Sequence, residues 1–308
     1  MEGNGLKKEY RPNALGPVAE VIFNIILALF SLSCIIPFIF IVIISFTDEM
    51  ALAEYGYSFF PKKTTMEAYK YIFKTGELLG RSYGVSVVIT VVGTILTLII
   101  TSMYAYALYR KDYKFRGFFT FIAFFTMLFG GGLVPFYITM TQLLKLRDSI
   151  WALIMPMCLN AFHIIVLRTF FTTTIPDSLI DAAAIDGSGE FRTFLQIILP
   201  ISLPGIATIG LFTTLAYWND WFNAMLFIDN PNLIPVQYLL MKIENRMEFI
   251  IQNATKMTSS EASSALKSLP RESARMAMVV LVVLPIAAAY PFFQQFFIQG
   301  LTIGSVKG

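Results

Sequence analysis

The chain has 308 residues, of which 56% are hydrophobic and 14% are charged, whereas about a quarter of the residues of a soluble domain are charged. Together with a mean hydropathy of +0.67, this composition excludes an ordinary water-soluble enzyme. The formal charge of +3 is small and dispersed along the chain, so no nucleic acid is expected among its partners.

Six apolar runs, separated by charged or turn-forming residues, predict an all-α integral membrane protein with six transmembrane helices in the lipid bilayer. The runs cover residues 18–46, 84–109, 117–138, 149–171, 197–228 and 274–298. The first run is longer than the apolar region of a signal peptide, so we expect it to remain in the membrane. Pro200 and Pro204 interrupt the fifth run, so the start of that helix can differ from residue 197 by several residues.

The short loop between the second and third runs predicts the orientation of the chain in the membrane. It sets four basic residues against one acid: Arg110, Lys111, Lys114 and Arg116 against Asp112. Short basic loops stay in the cytoplasm under the positive-inside rule. We therefore expect both termini to be cytoplasmic. The expected cytoplasmic segments are residues 1–17, this loop, residues 172–196 and the C-terminal tail, with residues 47–83 and 229–273 on the outer side.

A helix of about ten residues is predicted within the cytoplasmic stretch 172–196. Pro176 is suited to the first turn of a helix, Asp177 lies near its positive N-terminal end, and Gly187 is suited to the left-handed residue that ends it. Ala182 and Ala183 keep part of its surface shallow enough to fit a groove on another protein. The sequence therefore indicates a docking helix in this loop.

This segment resembles the cytoplasmic loop of the permease subunits of ABC importers. That loop has the pattern Glu-Ala-Ala, three residues, Gly, nine residues, Ile, any residue, Leu-Pro. The matching residues are Asp181, Ala182, Ala183, Gly187, Ile197, Leu199 and Pro200, with Asp in place of the leading Glu. The resemblance implies a coupling helix that contacts the ATPase through Asp181, Ala182, Ala183, Asp186 and Gly187.

Further motifs resemble the carbohydrate importers of the maltose type, and among them the smaller permease. The motifs are Ala105-Tyr106-Ala107-Leu108 before Arg110, Trp218-Asn219, and the terminal run from Gln299 to Gly308. Residues 131–135, Gly-Gly-Leu-Val-Pro, are similar to the subgroup that imports oligosaccharides released from complex polysaccharides. The resemblance therefore implies the fold of a type I importer permease in the bacterial inner membrane. It implies a carbohydrate as the cargo, and we expect an oligosaccharide.

The resemblance also implies the partners of the chain. They are a second homologous permease, a dimer of the ATP-binding cassette ATPase and an extracytoplasmic solute-binding protein. The sequence has no G-x-x-x-x-G-K-[ST] motif, so ATP and Mg are expected in the partner ATPase and no cofactor or catalytic residue is expected here. The expected regions are a cytoplasmic tail 1–17 and a permease domain 18–308, with core 84–298, coupling loop 172–200 and extracytoplasmic loop 229–273.

Polar residues within the apolar runs are candidates for lining a substrate pathway. Asn160 lies near the middle of the fourth run, and Trp218, Asn219 and Asp220 lie in the outer half of the fifth. Hydrogen-bonding groups beside an aromatic face suit a sugar, but hydrogen bonds between helices explain the same residues. His163 is the only histidine, so no metal site is expected, and we expect its ring to be packed and hydrogen-bonded.

Two other kinds of transporter remain as alternatives. An ABC permease for a non-sugar solute would share the coupling loop but not the sugar-importer motifs. A secondary transporter would typically show inverted repeats and intramembrane acids, and it would leave the pattern from Asp181 to Pro200 unexplained. A membrane-embedded enzyme would need a paired acid and base or a metal cluster, which the apolar runs do not supply.

Overall fold

The computed structural model describes residues 16–74, 76–253 and 271–305, and this part of the chain is helical apart from turns and one bridge between Thr47 and Thr64. The helices are α1 (Pro17–Ser45), α2 (Glu49–Tyr55), α3 (Glu67–Phe73), α4 (Gly76–Tyr109), α5 (Arg116–Leu128), α6 (Leu133–Ile138), α7 (Trp151–Ile154), α8 (Ala161–Thr174), α9 (Asp177–Ile185), α10 (Glu190–Thr193), α11 (Leu199–Ile201), α12 (Leu203–Trp218), α13 (Phe222–Phe227), α14 (Val236–Asn253) and α15 (Arg271–Ser305). A π turn, Thr139–Leu143, extends α6, a 3-10 turn, Met155–Met157, extends α7, and a π turn, Phe194–Ile198, joins α10 to α11.

Three helices are long and apolar enough to cross a membrane alone: Val18–Ser45, Gly76–Tyr109 and Arg271–Gln295. Three bent pairs of helices pass the same test: Arg116–Leu128 with Leu133–Leu143, Trp151–Met157 with Ala161–Thr174, and Glu190–Ile201 with Leu203–Trp218. If each bent pair crosses once, the described residues supply six spans by length and composition, at the places that the sequence predicts.

The third, fourth and fifth apolar runs each form a broken helix rather than one continuous helix. The third bends by 115° at the glycine run that ends with Gly132, whose φ of +82° favours glycine. The fourth bends by 49° before Ala161, and the fifth bends by 80° at Ser202. Pro204 accounts for the last break, since proline has no N–H to continue the helix.

Two predicted helix boundaries also need correction. The fifth apolar segment starts at Glu190 and ends at Trp218, rather than covering residues 197–228. The second helix starts at Gly76 instead of residue 84. Leu79 and Ser82 of these added turns are buried, so packing accommodates them. Ser86, just beyond the predicted start, is also buried, and its Oγ accepts a hydrogen bond of 2.8 Å from the backbone N–H of Val236.

The described residues divide into two compact units. The first consists of residues 16–68 and 271–280, and the second consists of the described residues from 69 to 253 and from 281 to 305. In the first unit, Lys63 pairs with Asp48 at 2.9 Å. The Glu49 carboxylate accepts hydrogen bonds of 3.0 and 3.1 Å from the backbone N–H groups of Glu272 and Ser273. This carboxylate therefore satisfies free amides at the start of α15.

In the second unit, α4 is the central helix and packs against α5, α8, α12 and α14. A buried cluster surrounds its C-terminal end and includes Tyr106, Tyr109, Phe171, Ile175, Ile180, Phe194 and Ile198. The cluster combines residues from α4, α8 and the segment predicted to be the coupling loop. The C-terminal end of α4 is thus the seat of that loop.

Candidate coupling site and substrate pathway

A helix lies where the sequence predicts the docking helix. It begins at Asp177, directly after Pro176, and Gly187 beyond its end has φ of +70°. The N–H of Gly187 donates to the carbonyl of Ala184 at 3.1 Å, and that of Ser188 donates to the carbonyl of Ala183 at 2.9 Å. These two bonds form a Schellman motif, which requires the left-handed residue that Gly187 supplies.

The α9 helix has a buried face and an exposed face. Ile180 and Ala183 are buried against the rest of this chain, so the Ala183 methyl belongs to the buried face. Asp181, Ala182, Ala184, Ile185 and Asp186 are exposed. Ile185 is 85% exposed and is the residue that sequence reasoning missed; its place four residues after Asp181 puts both on one side of the helix.

Polar contacts fix the starts of α9 and α10 to the end of α4 and the loop that follows it. Arg110 Nη2 donates to Glu190 Oε1 at 2.7 Å, and the Tyr106 hydroxyl donates to Glu190 Oε2 at 2.6 Å. Lys111 Nζ pairs with the Asp177 carboxylate, and this hydrogen bond raises the pKa of the Lys111 ammonium. Residues 110–116 and 172–196 therefore meet in the second unit. This contact is compatible with the prediction that both segments are cytoplasmic.

A second polar junction joins the turn before α7 to the segment after α13. Asp148 has φ of +56°, and its Oδ1 accepts hydrogen bonds of 2.7 and 2.8 Å from the N–H groups of Asp229 and Asn230. Those bonds, led by the one from Asn230, hold the pKa of the Asp148 carboxyl below its usual value. Arg147 Nη2 also pairs with the Asp229 carboxylate at 2.5 Å. The two segments are thus tied by main-chain and side-chain bonds.

Asn160 lies at the break in the fourth predicted helix. Its Oδ1 accepts hydrogen bonds from the N–H groups of Phe162 at 2.9 Å and His163 at 3.4 Å. The side chain therefore caps α8 and satisfies backbone amides freed by the break. His163 is half-buried, and within the described residues its Nδ1 has no hydrogen-bond partner. The prediction of a hydrogen-bonded histidine is therefore wrong for this ring nitrogen.

The structure separates the three predicted pathway residues at the end of α12. Trp218 is buried, and its Nε1 donates to the carbonyl of Val282 in α15 at 3.1 Å. Asn219 is exposed, and its Oδ1 accepts a hydrogen bond of 3.0 Å from Gln237. The Asp220 carboxylate accepts hydrogen bonds from the N–H and Nδ2 of Asn223 at 3.3 and 2.9 Å. All three thus stabilise the packing of this region, and Asn219 is the one with an exposed side chain.

Trp218 also lines an apolar cleft of 360 Å³ formed by α4, α12 and α15. Its lining residues include Val87, Val91, Leu211, Pro285, Ile286 and Tyr290. Apolar side chains dominate this lining, and the hydroxyl-bearing residues in it are Thr90, Thr214 and Tyr290. The cleft therefore offers few hydrogen-bonding groups to a sugar.

Tyr217, which the sequence analysis did not single out, joins three segments of the second unit. Its hydroxyl donates to the carbonyl of Ile154 at 2.9 Å and lies 3.2 Å from Thr97 Oγ1. Its ring packs on Gly93, where a Cβ would lie 2.6 Å from Tyr217 Cζ. The hydroxyl therefore satisfies a carbonyl near the break in the fourth helix. In the sequence, only its position next to Trp218 could have pointed to Tyr217.

Comparison with known proteins identifies the class to which this architecture belongs. Residues 113–303 match the family described as "Binding-protein-dependent transport system inner membrane component". The chain therefore belongs to this family of membrane transport components. It is a multi-pass membrane protein, as its apolar helices also indicate.

Three similar proteins cover nearly the whole chain. Protein LplC of Bacillus subtilis (strain 168) is 40% identical over 274 residues, which are 89% of this chain and 90% of that protein. The "Polygalacturonan/rhamnogalacturonan transport system permease protein YtcP" of the same organism is 38% identical over 282 residues, 92% of this chain and 96% of that protein. A solved chain of "a bacterial ABC transporter involved in the import of the acidic polysaccharide alginate" is 29% identical, with a TM-score of 0.74. The match covers 91% of this chain and 96% of that chain.

Proposed function

We propose that the chain is one of the two permease subunits of an ATP-driven importer and that its cargo is an oligosaccharide derived from a polysaccharide. The observation that carries this proposal is the similarity, over about nine-tenths of both chains, to a permease named for polygalacturonan and rhamnogalacturonan. The similarity to a chain of an alginate importer supports the same class of cargo. The sugar-importer motifs of the sequence agree with it.

The proposed coupling surface is the exposed side of α9. Asp181, Ala182, Ile185 and Asp186 present acidic and small apolar groups around one large exposed side chain, Ile185. Such a surface suits a groove on another protein. ATP and Mg are bound by the partner ATPase in this proposal, and the permease converts ATPase closure into a rearrangement of its helices. Gly187 sets where the docking helix ends.

The proposed orientation has both termini in the cytoplasm, in a bacterial inner membrane. The basic loop 110–116 and α9 lie together on the cytoplasmic side, and the junction of Asp148 with Asn230 lies on the outer side. We place the solute-binding protein against residues 229–273. Within the described part of that range, α14 buries Val236 and Leu239 and exposes Phe249. Residues 1–15 and 254–270 lie outside the described residues.

The translocation core in this proposal is 84–298, within a permease domain that covers 18–308. Asn219 is the residue of the predicted pathway set whose exposure suits contact with a sugar. Trp218 and Asn160 support the fold around it through their hydrogen bonds. Asp220 is half-buried and bonded to Asn223. The pathway role of these residues is thus proposed most directly for Asn219.

The test is a complex of both permeases and the ATPase, reconstituted in vesicles with the binding protein. Oligosaccharides of galacturonan, alginate and a neutral glucan are supplied in turn, with an amino acid as the matched non-sugar. We expect an oligosaccharide to stimulate ATP hydrolysis and to enter the vesicles. Stimulation by the amino acid alone would indicate a non-sugar importer, and uptake driven by an ion gradient without ATP would indicate a secondary transporter.

A further inference from the structure

Two adjacent residues of one loop hold the start of α9 and the start of α10, the helix that follows it. Lys111 pairs with Asp177, the first residue of the helix, and Arg110 pairs with Glu190, three residues beyond Gly187. We call this set, with Tyr106, the loop clamp. Both bases follow the C-terminal end of α4, where the helix dipole favours positive charge. The loop clamp therefore connects the coupling loop to the end of the central helix at two points, one at the start of α9 and one at the start of α10.

Glu190 is the best-defined member of the loop clamp, because both of its carboxylate oxygens are bonded to the same helix end. Arg110 Nη2 lies 2.7 Å from Oε1, and the Tyr106 hydroxyl lies 2.6 Å from Oε2. The Arg110 side chain is 18% exposed and the Glu190 side chain 63% exposed, and Arg110 Nη2 also lies 3.2 Å from the Asp112 carboxylate. Two bonds from different directions fix the carboxylate relative to α4.

The apolar contacts below the loop clamp make the connection stiff. Ile180, on the buried face of α9, belongs to the same cluster as Tyr106 and Tyr109 of α4. The Tyr109 hydroxyl also donates to the carbonyl of Ile175 at 3.4 Å. Because packed interiors resist continuous deformation, a force on α9 displaces the end of α4 with it. The α4 helix has 34 residues and packs along α8 and α12, so the displacement reaches the pathway helices.

We propose that Arg110 and Glu190 are positioning residues for energy coupling, and that their contact, supported by Tyr106, transmits movement of α9 to α4. This inference rests on the proposed function, since it needs an ATPase to move α9. The proposed contact lies within this chain, between the end of α4 and Glu190, and is distinct from the exposed face of α9. The exposed face of α9 takes no part in the loop clamp. Loss of the loop clamp should therefore leave ATPase binding intact and impair transport.

The experiment is a double-mutant cycle on the reconstituted importer with Arg110→Gln, Glu190→Gln and the double variant. The quantities measured are ATPase co-purification, hydrolysis rate and sugar imported per ATP. We expect each single variant to bind the ATPase but to import at least about fivefold less sugar per ATP, at the lower end of measured allosteric couplings. The double variant is expected to equal the single variants, because residues that act through one contact are not additive.

The matched control is Lys63→Gln with Asp48→Asn, an ion pair in the first unit, which should leave sugar per ATP unchanged. If Glu190→Gln does not assemble, Tyr106→Phe removes one donor and leaves both charges, and it is expected to lower the ratio by a smaller factor. Additive losses, or an unchanged ratio in an active complex, would overturn the loop clamp and leave the proposed function intact. A wild-type chain that neither binds the ATPase nor imports sugar would overturn both.

Discussion

At the scale of single residues, Gly93 shows why some positions accept only the smallest side chain. A methyl group there would lie 2.6 Å from Cζ of Tyr217, whose hydroxyl is held by Ile154 and Thr97. The ring has no freedom to withdraw without losing those bonds. Small residues let membrane helices approach closely, and here the close approach serves α4 and α12.

We therefore expect Gly93→Ala to destabilise the protein by about 1 to 3 kcal/mol, the usual cost of overpacking a close-packed core. The measurement is thermal unfolding of the purified protein in detergent. Gly84→Ala is the control in the same helix, because no atom lies within 4 Å of its added Cβ. Alanine is favoured over glycine in helices, so that variant should be equally or more stable. Equal losses at both positions would contradict the packing of Tyr217 on Gly93.

Asp148 predicts a dependence on pH at the second polar junction. Its pKa is lowered in the fold by N–H donors from Asn230 and Asp229, so its contribution to stability is complete above the unfolded pKa of about 3.9. That contribution is lost as the pH falls through the lower folded pKa. We expect the amides of Asp229 and Asn230 to exchange faster, relative to their intrinsic rates, as the pH falls below about 4.

The matched variant for this prediction is Asp148→Asn. Asparagine also tolerates the positive φ of this position, and its amide oxygen accepts hydrogen bonds without a charge that titrates. Protection of the two amides should then be weaker and independent of pH. An acid-dependent change that persists in Asp148→Asn would assign it to another group.

At the scale of elements, the end of α9 depends on one backbone conformation. Gly187 has φ of +70°, whereas Gly189, two residues later, has φ of −71°. An L-residue in the left-handed region costs roughly 1 kcal/mol, which corresponds to about fivefold in the equilibrium for local opening. Gly187→Ala should therefore speed hydrogen exchange of the backbone amides at positions 187 and 188 by about that factor. Gly189→Ala should change it little, and equal effects would contradict the Schellman motif.

The existence of the helices could be predicted from the sequence more fully than their breaks. Runs of apolar residues are visible as such, and the pattern from Asp181 to Gly187 marks a helix and its end. The bend before Ala161 interrupts the backbone without interrupting the apolar run, so composition alone misses it, whereas Pro200 and Pro204 mark the interruption near Ser202. Gly132 and Pro204 carried a signal, but glycine and proline are also common in unbroken membrane helices.

The sequence predicted where the docking helix lies in the chain, but not which of its side chains are buried and which are exposed. The faces of α9 depend on tertiary contacts, because alanines occupy both its buried and its exposed side. The partners of Trp218 and Asn219 lie 64 and 18 residues away in the chain, and no local pattern specifies such pairs. Tyr217 was missed for the same reason, since its three contacts come from distant segments.

At the scale of the whole molecule, the orientation in the membrane can be tested with single cysteines. Lys114→Cys and Asn245→Cys are made after Cys34 and Cys158 are replaced by alanine. We expect an impermeant thiol reagent to label position 245 in intact cells and position 114 only after permeabilisation, because the basic loop is placed inside. Both side chains are exposed in the structure, and the reverse labelling would contradict the proposed orientation.

The central claim is that the chain works as a membrane subunit whose energy comes from a partner. The most direct measurement is purification of the tagged chain from mild detergent, identification of co-purifying proteins by mass spectrometry, and an ATPase assay on the complex. The account predicts recovery of a second permease and an ATP-binding cassette ATPase, with ATP hydrolysis stimulated by a loaded binding protein. Recovery of this chain alone, under conditions that keep other importers of its family intact, would contradict it.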